Sequence, residues 1–186
     1  DDVSEVRLLL LATAASRRET GDPMDSAILD SLNEAPPWTL VASFPFTEDR
    51  KRETGIVREN GSLLAAVKGA PEVVLGLCTV TPEASTHWLA RIHELASSGH
   101  KVIACAWREL DATVWPGGEP DRDFRLAGLL AFEDPVRSGV PQALHRCQAA
   151  RIHVIMVTGD HPDTARAVAQ EVGLVAAFRP ARVADR

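Results

Sequence analysis

The chain has 186 residues and a mass of 20.1 kDa, 45% hydrophobic and 25% charged, which suits one ordinary domain or two small ones and excludes a whole transporter or large enzyme. A net charge of -6 and a pI near 5.5 exclude general binding to nucleic acid or to an anionic membrane, because either needs a basic surface to displace counterions. A polyanionic ligand therefore has to meet a local positive cluster, and only three of the 20 basic residues are lysines, Lys51, Lys68 and Lys101.

Residues 3–17 carry apolar positions without a breaker and residues 25–32 repeat the tendency, which predicts two helices joined by the Gly21-Asp22-Pro23 turn. The apolar run at 8–15 is far below the roughly 20 residues that cross a bilayer. It follows Asp1, Asp2 and Glu5 instead of a basic segment, which argues against a signal peptide. After Pro36-Pro37, strands are predicted at 39–44, 53–58 and 63–67, the last two joined through Glu59-Asn60-Gly61, a strong hairpin signal and hence antiparallel sheet. Pro71 opens a helix over 71–77, a longer helix covers 83–98 and stops at Gly99, and 101–107 returns as a strand. The polar, Pro- and Gly-rich stretch 115–123 is the expected domain boundary. Beyond it the order is strand 126–132, helix 138–150, strand 152–157 and helix 163–172, the alternation of a right-handed βαβ unit with parallel strands. The predicted class is α/β. Cys78, Cys105 and Cys147 are too few and too far apart for a zinc site or a full disulfide set, which points to a reducing, cytosolic setting. None of the six histidines falls in an HExxH spacing.

Four constellations carry chemistry. The apolar run from Ile152 leads into Thr158-Gly159-Asp160, where a hydroxyl and a glycine amide at the carboxyl end of a parallel strand can hold a phosphoryl oxygen; the alternative is a turn in which Asp160 caps the next helix. Asp134-Pro135-Val136-Arg137 follows strand 126–132 and reads alone as a turn with a surface ion pair. Lys68-Gly69-Ala70-Pro71-Glu72 joins a strand end to a helix start, with small residues that admit a ligand to the backbone and a lysine that adds mobile positive charge; a solvated lysine is the plain alternative. In the segment 44–52, FPFTEDRKR, Phe46 is placed to stack on a base and Arg50-Lys51-Arg52 to meet phosphates, against core packing and a solvated charge run.

Together with Gly21-Asp22-Pro23-Met24-Asp25, these segments stand in the order found in P-type cation-transporting ATPases, whose cytosolic part the sequence resembles over essentially its full length. The resemblance implies a nucleotide-binding domain over residues 1–123, a twisted antiparallel sheet flanked by helices. It implies part of a phosphorylation domain over 124–186, a Rossmann-like member of the haloacid dehalogenase superfamily. It implies ATP as ligand, with Mg2+ accompanying the ATP and no metal ligand expected in this chain. Phe46 would stack on adenine, Lys68 would sit beside base and ribose with Gly69, Lys51 would line the pocket, and Asp25 would stand near the adenine amino group in place of a family Glu. Lys101 falls where the family often has an arginine reaching the phosphates. Thr158, Gly159 and Asp160 would contact the transferred phosphoryl group or nearby ATP oxygens, with Asp134 and Arg137 organising that site.

Two family segments do not occur: the Asp-Lys-Thr-Gly-Thr that carries the nucleophilic carboxylate, and the Gly-Asp-Gly-x-Asn-Asp that supplies a magnesium ligand. Asp121-Arg122-Asp123 precedes a strand where the chemistry requires the end of one, so it is no substitute. No catalytic residue is therefore expected here. The expectation is an excised ATP-binding piece of a pump that binds weakly without turnover, at the cytoplasmic face of a membrane. Its partners would be the rest of the phosphorylation domain, the actuator domain and the membrane helices, with no nucleic acid and no direct membrane contact. The KGAPE and Phe46 segments resemble calcium, magnesium and related ion pumps more than the heavy-metal branch. The alternatives are a stand-alone non-catalytic nucleotide-binding or protein-interaction module, and a haloacid dehalogenase phosphatase whose nucleophile is missing.

Overall fold

A computed structural model describes residues 3–32, 35–111, 115–133, 136–159 and 162–174. Ser4 accepts the Arg7 amide and starts helix α1, Glu5–Ala14. Asp22 accepts the Met24 amide at 2.7 Å and Pro23 takes the first position of helix α2, Pro23–Asp30, so the Gly-Asp-Pro turn works as a helix start. Strands β1 (Trp38–Phe44), β2 (Arg52–Glu59) and β3 (Ser62–Gly69) follow. Asn60 and Gly61 both adopt positive φ, 49° and 86°, the geometry of a two-residue hairpin whose twist suits the flanking strands. Helices α3 (Pro71–Leu77) and α4 (Pro82–Ser97) precede strand β4, Lys101–Leu110.

The sheet order is β1-β2-β3-β4-β5, with β1 to β4 antiparallel in succession, and β5, Arg125–Phe132, lies beside β4. This confirms a helix-flanked antiparallel sheet and alters one expectation: the strand predicted to open a parallel unit is the fifth strand of this sheet. Phe124 explains why. Its ring is fully buried among Ile56, Leu63, Ala65, Val67 and Val74, its N–H reaches the Leu77 carbonyl at 3.1 Å, and its carbonyl accepts the Thr79 amide at 2.9 Å. Leu126 and Leu129 continue into the same cluster, so β5 is anchored at its start.

Alternation sorts the sheet into two faces. Leu63, Ala65 and Val67 of β3 belong to the cluster with α3 and Phe124. Leu64, Ala66 and Lys68 take the other side, where α1 packs on β2 and β3. The approach is tight at Gly55, where a Cβ would stand 1.9 Å from the Ala14 carbonyl oxygen; only glycine lets the end of α1 sit there.

The chain divides into two units, residues 1–89 with 102–130, and residues 90–101 with 131–186. The second contains the end of α4 with helices α5, Val140–Ala149, and α6, Pro162–Glu171. Within it the Thr164 hydroxyl donates to the His100 carbonyl at 2.9 Å, and Asp163 meets His93 Nδ1 at 2.8 Å. The helices match expectation; the strand predicted at 152–157 does not form. The stretch has no ladder partner among the described residues, and Ile155 and Val157 are 82% and 90% exposed. A parallel strand needs a neighbour, and β5, its expected one, pairs within the first unit's sheet.

Candidate functional site

The hairpin turn at Asn60-Gly61 fixes the register of β2 against β3, and that register sets Glu53 opposite Lys68. On the far side Lys68 faces Cys105 of β4. With α1 docked at Gly55, the loop after it carries Arg17 and Thr20 toward the start of α2, where Asp25 sits in the first turn. The result is a charge cluster inside the protein. Lys68 Nζ donates to Asp25 Oδ1 at 2.5 Å and to Glu53 Oε1. Asp25 Oδ2 accepts the Arg17 amide at 2.9 Å and the Thr20 hydroxyl at 3.2 Å. Lys68 is 3% exposed, Asp25 1% and Glu53 8%.

The two carboxylates respond oppositely. Burial pushes Asp25 up, but the hydrogen bonds from Lys68, Arg17 and Thr20 outweigh it and hold the carboxyl below its ordinary value. Burial pushes Glu53 up and prevails, with the neighbouring Asp25 charge adding to it against the pull of Lys68. Burial likewise lowers the Arg17 guanidinium against the attraction of Glu53, Glu19 and Asp25. Arg17 Nε and Nη2 are buried with no hydrogen-bond partner among the described residues. Across the strand, burial raises the Cys105 thiol to about 12, so it is an inert neighbour.

Gly69 has a steric reason. A Cβ there would lie 2.4 Å from the Lys51 carbonyl oxygen and 2.7 Å from Arg52 Cα. The same carbonyl accepts the Ala70 amide at 2.9 Å, so the Lys-Gly-Ala-Pro segment and the Lys51 backbone are stitched together. Lys51 itself is exposed, with a left-handed φ of 50°, and its amide donates to the Thr47 carbonyl at 2.8 Å. Phe44 packs against the core cluster, whereas Phe46, two residues on, is 53% exposed. This separates the two aromatics: one anchors the loop and the other is presented to solvent.

The basic run is only partly available to a ligand. Glu119 takes Arg50 Nη1 at 2.6 Å, Arg52 Nε at 3.2 Å and the Thr54 hydroxyl at 2.8 Å. Burial alone would raise the Glu119 carboxyl, yet these three donors hold it low. A cavity of about 250 Å³ lined by Trp107, Arg108, Glu109, Asp123 and Arg125 contains none of the expected residues.

The structure thus brings Asp25 and Lys68 into direct contact, and Lys51 against Gly69. Lys101 is exposed at the first position of β4. In the second unit Thr158, Gly159 and Arg137 are exposed, while Asp134 and Asp160 lie outside the described residues. Glu53, Glu119 and Arg17 were not anticipated as site residues. For Glu53 the signal was present: a two-residue turn at 60 and 61 pairs 59 with 62 and, counting back, 53 with 68. Among the described residues no three His, Cys, Asp or Glu side chains gather as a metal site, and no helix is long and apolar enough to cross a membrane.

Residues 11–139 match the family model described as P-type ATPase, cytoplasmic domain N. The rat sodium/potassium-transporting ATPase subunit alpha-4 is 31% identical over 188 positions, covering 86% of this chain and 18% of that protein. The Arabidopsis thaliana plasma membrane-type calcium-transporting ATPase 4 is 35% identical over 175 positions, covering 83% and 17%. The rat potassium-transporting ATPase alpha chain 2 is 33% identical over 160 positions, covering 74% and 15%. The chain therefore spans less than a fifth of the length of these relatives.

Proposed function

The chain belongs to the P-type ATPases, matching their cytoplasmic domain N, and from that premise we propose that it binds ATP for a pump that couples ATP hydrolysis to cation transport across a membrane. The single observation that carries the pocket is the placement of Phe46: an aromatic held half-exposed by a loop whose neighbour Phe44 is anchored in the core, five residues before an exposed lysine. Phe46 stacks on adenine. Lys68 with Gly69 forms the floor beside base and ribose, Lys51 lines the rim, Asp25 orients Lys68 at the adenine end, and Lys101 reaches toward phosphate. Support for Asp25 and Lys68 acting together is their 2.5 Å contact.

Thr158, Gly159 and Asp160, with Asp134 and Arg137, serve the transferred phosphoryl group as part of the phosphorylation domain. That β5 lies in the sheet supports reading the nucleotide-binding part as running to about the end of β5, past the polar stretch at 115–123. Mg2+ arrives with the ATP. The sequence holds no Asp-Lys-Thr-Gly-Thr, so this chain binds nucleotide without forming an aspartyl phosphate. It works at the cytoplasmic face of the membrane, together with the rest of the phosphorylation domain, the actuator domain and the membrane helices.

Calorimetric ATP titration of the chain and of Phe46→Ala tests this. Loss of one base stack is worth about 1–3 kcal/mol, so affinity should fall by roughly 5- to 150-fold. Unchanged affinity in Phe46→Ala, or rapid phosphate release by the chain, would refute the proposal.

A further inference from the structure

We propose that Glu53 is a positioning residue that sets how available Lys68 is to a ligand, holding the ammonium in a two-carboxylate clamp that nucleotide binding opens. The proposal rests on the reading of Lys68 as a nucleotide-facing lysine and adds a residue which that reading does not contain. An ammonium has three N–H donors, and here two are spent on Asp25 and Glu53. A lysine engaged in this way and 3% exposed does not present charge to a ligand until one carboxylate withdraws.

The two jaws differ. Asp25 sits on a capped helix turn and is held on its second oxygen by Arg17 and Thr20, independently of Lys68. Glu53 faces Lys68 and the Asp25 carboxylate, one attractive and one repulsive, on a side chain one methylene longer. It is also the most exposed of the three. Asp25 is therefore the fixed jaw and Glu53 the movable one. The clamp follows from the hairpin register, since Glu53 reaches Lys68 as its direct cross-strand partner.

The test uses the whole chain and needs no ligand in its first arm. With three lysines, the rate of acylation at each by an amine-reactive reagent is separable by peptide mass spectrometry. In wild type Lys68 should react slowly. In Glu53→Gln its rate should rise about tenfold, as expected when a buried hydrogen bond to a charged group is weakened, with Lys51 and Lys101 unchanged as internal references. Glu53→Asp, which keeps the charge on a shorter arm, should fall between. Equal Lys68 rates in wild type and Glu53→Gln would overturn the clamp.

In the second arm ATP should bind Glu53→Gln roughly threefold or more tighter than wild type. Glu59→Gln, which removes the same charge from a carboxylate paired with Arg7, should leave affinity unchanged. Equal gains in both variants would reduce the effect to net charge and overturn the proposal. If neither protein takes up ATP while the labelling contrast holds, the nucleotide reading and the opening by nucleotide both fail, and only the control of Lys68 by Glu53 stands. Where Glu53→Gln does not fold, nitrogen-15 NMR of the wild-type Lys68 ammonium decides. A slowly exchanging signal that weakens as ATP is added supports the clamp, and a rapidly exchanging one overturns it.

Discussion

Strand β3 and the stretch 152–157 are two apolar runs of similar length with opposite fates. From Leu63 to Lys68 every residue of β3 is buried, with neighbours in register on both edges and helices over both faces. Residues 152–157 are exposed throughout. An apolar run states a need for cover, and the cover itself comes from register, from close approach at positions such as Gly55, and from helices that reach the right face. A sequence pattern records the need far more plainly than the means.

The contrast can be broken most severely at Phe124. Phe124→Ala empties the centre of the covered side and detaches the start of β5, and should cost about 3–5 kcal/mol in urea unfolding. A loss below 1 kcal/mol would show that the ring is not the keystone its burial indicates.

A smaller effect sharpens the charged end of β3. A group whose folded pKa is raised contributes stability that is complete below its unfolded value and is lost as pH rises through the folded one. Glu53 is such a group, and Asp25, held low, is the reverse: its contribution is present above about 3.8 and lost on acidification. The stability of wild type relative to Glu53→Gln should therefore decline as pH rises above about 4.5, whereas no such decline should appear relative to Glu59→Gln, whose carboxyl is held low by Arg7. Parallel pH profiles for the two variants would contradict this assignment.

The smallest effect belongs to the uncovered run. Ile155→Ser should change unfolding free energy by no more than about 0.5 kcal/mol while raising solubility, because an exposed apolar side chain has no packing to lose. A loss of 2 kcal/mol would mean that the stretch is covered in solution.

Where local chemistry decided the outcome, the sequence was legible. Asn60-Gly61 specified its turn, Pro71 its helix start and Gly21-Asp22-Pro23 its cap, each through backbone preferences that act over a few residues. The partner of β5 was not legible, since a strand's own pattern reveals that it is buried but not beside which neighbour. Lys68 and Asp25 could be singled out as residues, yet their mutual contact could not, because 43 positions separate them and only the docking of α1 and α2 closes the gap. Glu119 was hidden for the same reason, 69 positions from Arg50.

The stretch 115–123 has a bearing on how this chain can be cut. Composition marks it as a linker, yet Trp115 packs against the core cluster and Glu119 clasps Arg50, Arg52 and Thr54. The stretch is thus tied down at Trp115 and at Glu119. A shortened version ending at Asp123 would discard β5 and leave the backbone of β4 with an open row of donors and acceptors, an invitation to pair with another chain. A version ending beyond Phe132 keeps that row closed.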